Sequence, residues 1–140
     1  MTLSETSEGI MGDERYERGM KRAQEIIGDD ALRALIDNHK DSAPHLSTYV
    51  IESIWGDLFS RTEGLDTRER EMITIASLVT LGDCPGALKV HINGALNVGV
   101  TPEQVAEIIT HMAGIAGVPL ALRAAELARE VFCERKVTDV

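Results

Sequence analysis

The sequence predicts an all-α protein, and three observations carry that expectation. No run alternates apolar and polar residues with period two for long enough to make a strand. Apolar residues instead recur at spacings of three and four along most of the chain. Helix boundaries are punctuated by recognisable caps, above all Asp66 with Glu69 and the run Thr101-Pro102-Glu103-Gln104. Together they predict about six to seven helices around a central antiparallel hairpin. One compact domain is expected over residues 13–136, preceded by a flexible segment at 1–12.

Taken in order, Asp13 to Ile27 carries Tyr16, Met20, Ala23 and Ile27 on one helical face, and Gly28 supplies a left-handed stop. Asp29 or Asp30 can cap a short second helix bearing Ala31, Leu32, Leu35 and Ile36. Residues 38–44 are polar and read as a connection. From Leu46 the set Leu46, Tyr49, Val50, Ile54 and Leu58 gives a third helix with Trp55 and Phe59 beside its apolar stripe. The fourth begins at Thr67 behind the Asp66 cap. Its Met72, Ile73, Ile75, Ala76, Leu78, Val79 and Leu81 cover most of the circumference, the pattern of a helix buried on several sides. Gly82 ends it, and Pro85 opens the fifth helix with Cys84 as N-cap. Gly99 closes the fifth. Val105, Ile108, Ile109, Met112 and Ile115 form the expected buried face of the sixth, with His111 on its flank. After Gly117-Val118-Pro119 a last helix, from about Leu120 to Arg135, carries Leu127, Val131 and alanines at 121, 124, 125 and 128, which suit close packing.

Composition narrows the partners. The 140 residues carry a net charge of -9, the pI is near 4.8, and no lysine or arginine run offers a phosphate-tracking surface, so no nucleic-acid partner is expected. No stretch approaches the ~20 apolar residues that span a bilayer, and the N-terminus lacks a signal pattern. The expectation is a soluble, cytoplasmic protein with no membrane partner. Cys84 and Cys133 then read as free thiols.

The chemistry concentrates in the hairpin, where an acid (Glu71), a thiol (Cys84) and an imidazole (His91) fall on two adjoining helices. His91 has Ala87, Leu88, Ala95 and Val98 at helical offsets, so its ring points along an apolar stripe. An imidazole there is suited to general acid–base work, and Glu71 to orient it or pass it a proton. The competing structural readings are a packed core histidine and, for Glu71, a surface partner of Arg68 one turn away. Cys84 at a helix start has a claim to reactivity, but a free cysteine is more often a small buried hydrophobe. Glu71, His91 and His111 lack the spacing of a helical zinc motif, so no metal is expected. An anionic small-molecule substrate needs a cation, for which Arg61, Arg68 and Arg70 near the hairpin entrance are candidates. Trp55 and His111 are further candidate substrate contacts, Trp55 reading more readily as core.

These residues carry a resemblance. WGDLFSRTEGLDTRERE from Trp55 to Glu71, LGD-x₇-H ending at His91, HINGALNVGVTPEQVAEII and HMAGIAGVPLALRAA, in that order, resemble the carboxymuconolactone decarboxylase family of the alkylhydroperoxidase D-like superfamily. The likeness runs from about Glu14 to Glu130 in one register. It implies an alkylhydroperoxidase D-like helical fold, catalysis without a cofactor, and a homo-oligomer, trimer or hexamer. It also implies a carboxy-lyase of the kind that acts in aromatic degradation. Close relatives of the naming decarboxylase read RS where this chain has Arg70-Glu71 and carry an aromatic residue at the place of Ile115, so the resemblance reaches the family rather than one substrate. Two alternatives stand beside it: a related lactone isomerase or cyclase in a biosynthetic pathway, and a thiol peroxidase. The peroxidases use C-x-x-C-x-x-x-H. Cys84 and His91 fit its first cysteine and its histidine, but Ala87 stands at the resolving cysteine.

Overall fold

A computed structural model describes the backbone of residues 3–138 and 140 and the side chains of 13–138 and 140. Two compact units make up the chain, Met1–Gly64 and Leu65–Val140. The elements are α1 (Leu3–Asp37), α2 (Leu46–Tyr49), a π-helical segment (Val50–Leu58), α3 (Thr67–Leu81), α4 (Pro85–Asn97), α5 (Pro102–Ile115) and α6 (Val118–Glu134). All the regular elements are helical, as the periodicity predicts. None among the described residues is long and apolar enough to cross a membrane.

In the first unit α1 packs along the π-helical segment. The expected break at Gly28 is present, with φ 82° and ψ 170°, but helical backbone begins at Leu3 rather than Asp13. Residues 1 and 2 and the side chains of 3–12, where a flexible segment is expected, lie outside the described residues. Two glycines permit the close approach of α1: a Cβ on Gly19 would overlap the Ile51 carbonyl oxygen, and one on Gly56 would meet the Arg15 carbonyl oxygen at 2.8 Å. Across this contact Arg15 donates to Asp57 at 2.7 Å, and Arg18 and Arg22 donate through Nε to the carbonyls of Gly56 and Phe59.

The third helix differs from its prediction. Leu46, Tyr49 and Leu58 are exposed, whereas Ser47, Ile51, Trp55 and Phe59 are buried. Those four stand one residue on from the expected Leu46, Val50, Ile54 and Leu58, at the same spacing of four, in a helix wound with i→i+5 bonds from Val50 to Leu58. The bond from Phe59 N–H to the Ile54 carbonyl, 2.7 Å, belongs to that winding. The Trp55 and Phe59 rings meet at 4.8 Å between centroids.

The second unit is a four-helix assembly. Both capping boxes form: Asp66 and Glu69 exchange bonds of 2.7 and 2.8 Å at the start of α3, and Thr101 and Gln104 exchange bonds of 3.0 and 3.1 Å at the start of α5. Gly82 ends α3 at φ 80°, a left-handed turn open to glycine. α3 packs on α4 and α5, α4 on α6, and α5 on α6. Ile75, Val79, Leu88, Ile92, Ala95, Val105, Ile109, Leu127 and Val131 fill the space between them. Burial of each of the larger side chains contributes about 1.5–3 kcal/mol. On the outside of α4 and α6, Lys89 pairs with Glu130 at 3.1 Å and Glu134 at 3.2 Å, and these hydrogen bonds hold its ammonium above its ordinary pKa. Arg135 donates to Asn93 and Asn97 along the same seam.

Several apolar residues expected inside are outside. Ile115, on the last turn of α5, is 71% exposed, and Ile73 and Leu81 lie on the face of α3 turned from the core. Ala125 is likewise exposed.

Candidate active site

The antiparallel α3–α4 hairpin brings Glu71 and His91 together. Glu71 lies in the second turn of α3, on the face that also carries Ile75 and Val79, and it is 0% exposed. His91, midway along α4 between Leu88 and Ala95, approaches with Nδ1 2.9 Å from Glu71 Oε2. The His91 side chain keeps 15% of its surface, so the pair is a buried acid against a partly exposed imidazole. Glu71 Oε1 is buried with no hydrogen-bond partner among the described residues. An ionised carboxylate so enclosed costs several kcal/mol unless it is paired. The surface-pair reading of Glu71 is therefore replaced by burial against His91. An ionised carboxylate only accepts. Glu71 in that state fixes a proton on Nδ1.

The other candidates are distributed differently. Arg68, one turn before Glu71, donates from Nη2 to Gln104 Oε1 at 2.9 Å and passes over Gly99, where a Cβ would lie 3.8 Å from its Cδ and Nε. From the sequence Gln104 is legible only as a cap; its second role depends on the approach of α3 to α5, which spacing along the chain does not encode. Arg70 is partly buried on α3, and its carbonyl accepts from Thr74. Arg61 and Trp55 belong to the first unit, Arg61 exposed and Trp55 buried. His111 is exposed on the wall of a cleft of about 460 Å³ between α3 and α5, lined also by Met72, Ile73, Ala76, Ile108 and Met112. Glu71 and His91 do not line that cleft.

Cys84 occupies the N-cap position of α4 but makes no capping bond; its Sγ lies 3.7 Å from the Leu78 carbonyl oxygen. Ala87, at the place of a resolving thiol, is exposed, and Cys133 stands in the last turn of α6, also exposed. Among the described residues, no group of three His, Cys, Asp or Glu side chains is arranged to hold a metal ion.

Comparison with known proteins agrees with the site's sequence words. A model of the carboxymuconolactone decarboxylase family matches residues 44–130. The chain is 32% identical to a 4-carboxymuconolactone decarboxylase of Acinetobacter baylyi over 123 residues, 87% of this chain and 90% of that protein. It is 26% identical to a nitrosuccinic acid decarboxylase of Metarhizium robertsii over 109 residues, 78% of this chain and 75% of the relative. A 15.0 kDa protein of Paracoccus denitrificans of uncharacterised function is 32% identical over 65% of this chain and 68% of its own length. With the hairpin, its caps and the family match in agreement, the chain belongs to the carboxymuconolactone decarboxylase family.

Proposed function

We propose that the protein is a cofactor-independent decarboxylase of a small carboxylated acid whose carbanion is stabilised by a neighbouring electron-withdrawing group. The observation that supports this most is the fully buried Glu71 bonded to His91 at 2.9 Å. The two decarboxylases that resemble the chain share one chemical demand. Loss of CO₂ next to a nitro group leaves a nitronate, and loss from a carbon conjugated to a lactone carbonyl leaves a dienolate. In either case the electron pair of the broken C–C bond comes to rest on oxygen, and carbon must then take a proton.

His91 is the group we assign to that proton transfer. As an imidazolium its Nε2–H stabilises the developing oxyanion and then protonates carbon, while CO₂ departs and solvent restores the proton. Glu71 is a positioning residue that fixes the ring and compensates the imidazolium charge. Cys84 has no part in these steps.

Turnover of 4-carboxymuconolactone and of nitrosuccinate, followed by CO₂ release, tests the reading. The wild type should consume at least one of them, and His91→Gln should lose that activity with its helical content intact. Equal activity in the two proteins would refute the assignment of His91.

We also propose that the chain self-associates, as a trimer or hexamer. Ile73, Leu81, Ile115, Val118 and Leu122, each more than half exposed, support this reading. A monomeric mass by light scattering at micromolar concentration would overturn it.

A further inference from the structure

We infer that Arg68, aimed by Gln104, receives the carboxylate that a dicarboxylate substrate retains after CO₂ has left. The inference rests on the decarboxylase reading and deepens it, since it selects one cation and gives the substrate a second anionic group. Arg68 and Glu71 are three residues apart on α3 and therefore share a face of its first two turns. The guanidinium is partly buried, and it donates to a neutral amide, Gln104 Oε1, at 2.9 Å. Among the described residues, no carboxylate lies within ion-pairing distance of it. By contrast, Arg15, Arg18, Arg22 and Arg123 are each paired with an acid, and Arg135, which also donates to amides, is exposed where Arg68 is partly buried.

The identity of residue 104 points the same way. A capping box accepts Glu or Gln at its third helical position, and at a helix N-terminus the anion is the more stabilising choice by about 0.3–1 kcal/mol. Here a glutamate would in addition pair with Arg68. The chain instead carries the neutral residue, whose one oxygen accepts both from the Thr101 amide and from Arg68. The cap and the Arg68 pair thus favour Glu at this position, against the repulsion of Glu107 one turn on. A neutral residue orients the guanidinium and leaves its charge uncancelled for an anionic ligand, which a planar fork binds through two parallel bonds.

The test separates the two roles by sign. Gln104→Glu keeps the cap and the Arg68 contact but cancels the charge, so its thermal midpoint should equal or exceed that of the wild type. Succinate serves as a dianionic probe and its neutral diamide, succinamide, as a control, with binding measured by calorimetry or amide-shift titration on the intact protein. We expect Gln104→Glu and Arg68→Met each to weaken succinate binding about tenfold or more, the worth of a charge-assisted bond, while the affinity for neutral succinamide stays within a few-fold. In turnover, Gln104→Glu should raise KM for the dicarboxylate and leave kcat within a few-fold. Succinate binding that is unchanged in both variants, or absent from the wild type at millimolar concentration, overturns the assignment. If succinate binds as expected but the wild type turns over neither decarboxylase substrate, the assignment of Arg68 stands and the decarboxylase reading falls.

Discussion

Replacing Glu71 by glutamine exchanges one oxygen for an NH₂ group in a fully enclosed place, and the structure fixes what must follow. Glu71 Oε2 lies 2.9 Å from His91 Nδ1, and Oε1 is buried with no donor. The amide introduced by Glu71→Gln has two orientations. With its oxygen on His91 the NH₂ group takes the place of Oε1, and two buried donors lose their partners at about 1–3 kcal/mol each. With its NH₂ on His91 the oxygen takes the partnerless place, as in the wild type, and Nδ1 must become an acceptor. The second N–H is then without a partner, so this orientation leaves one buried donor unpaired instead of two; it is preferred on that count, and it moves the imidazole proton to Nε2. A neutral Nε2–H is a poor acid toward carbon, because its loss leaves imidazolate, and the imidazolium has lost the carboxylate that compensated it. Proton transfer by a positioned side chain contributes about 10²–10⁴-fold. kcat in Glu71→Gln should therefore fall by that factor, about 2.7–5.4 kcal/mol in activation free energy, with KM little changed. Steady-state CO₂ release checks the rate, and circular dichroism and light scattering check that fold and assembly persist. Wild-type kcat in the variant would refute this account, as would unfolding of both Glu71→Gln and His91→Gln, which would make the pair structural.

Other residues make separate predictions. Cys84→Ser should retain most of the decarboxylase activity, because Sγ contacts the Leu78 carbonyl and Ala87 supplies no resolving thiol; peroxide turnover with dithiols in the wild type, lost in the variant, would favour the thiol reading instead. Gly19→Ala drives a methyl into the Ile51 carbonyl oxygen and should destabilise the first unit by at least about 1–3 kcal/mol in denaturant titration; an unchanged midpoint would mean that α1 can shift without loss. The hydrogen bond from Arg15 holds the Asp57 carboxyl below its ordinary pKa, so its stabilising effect is present above pH ~4 and is lost as pH falls through the lowered folded value. Asp57→Asn should thus be slightly less stable than the wild type at neutral pH, with the gap closing in acid and shrinking in salt; a gap that widens in acid would contradict the assignment.

What is legible in the sequence follows from the range of the interactions involved. Asp66 with Glu69, Gly82, Pro85 and Thr101 with Gln104 act within one turn of chain, and each helix boundary they mark in the second unit is where the spacing predicts it. His91 and Glu71 are legible as candidates because adjoining helices with a short turn must run antiparallel. Their bond is not, because the depth of Glu71 is set by α4 and the core around Ile75 rather than by α3 alone. The π-helical segment departs from expectation for a different reason. Val50, Ile54 and Leu58 fit an α-helical stripe as well as Ile51, Trp55 and Phe59 fit the observed one, and the choice between them is made by Gly19 and Gly56, which admit α1 against Ile51. Ile115 fails in the opposite sense: its place in the apolar pattern of α5 is regular, but it stands on the last turn, two residues before the chain reverses at Gly117, where φ is 118°, and it stays exposed. Periodicity therefore identifies which residues can share a face, while the partner helix decides how far along the face burial extends. The same limit applies at Gln104, a complete cap from sequence alone, whose bond to Arg68 exists only because the N-termini of α3 and α5 meet.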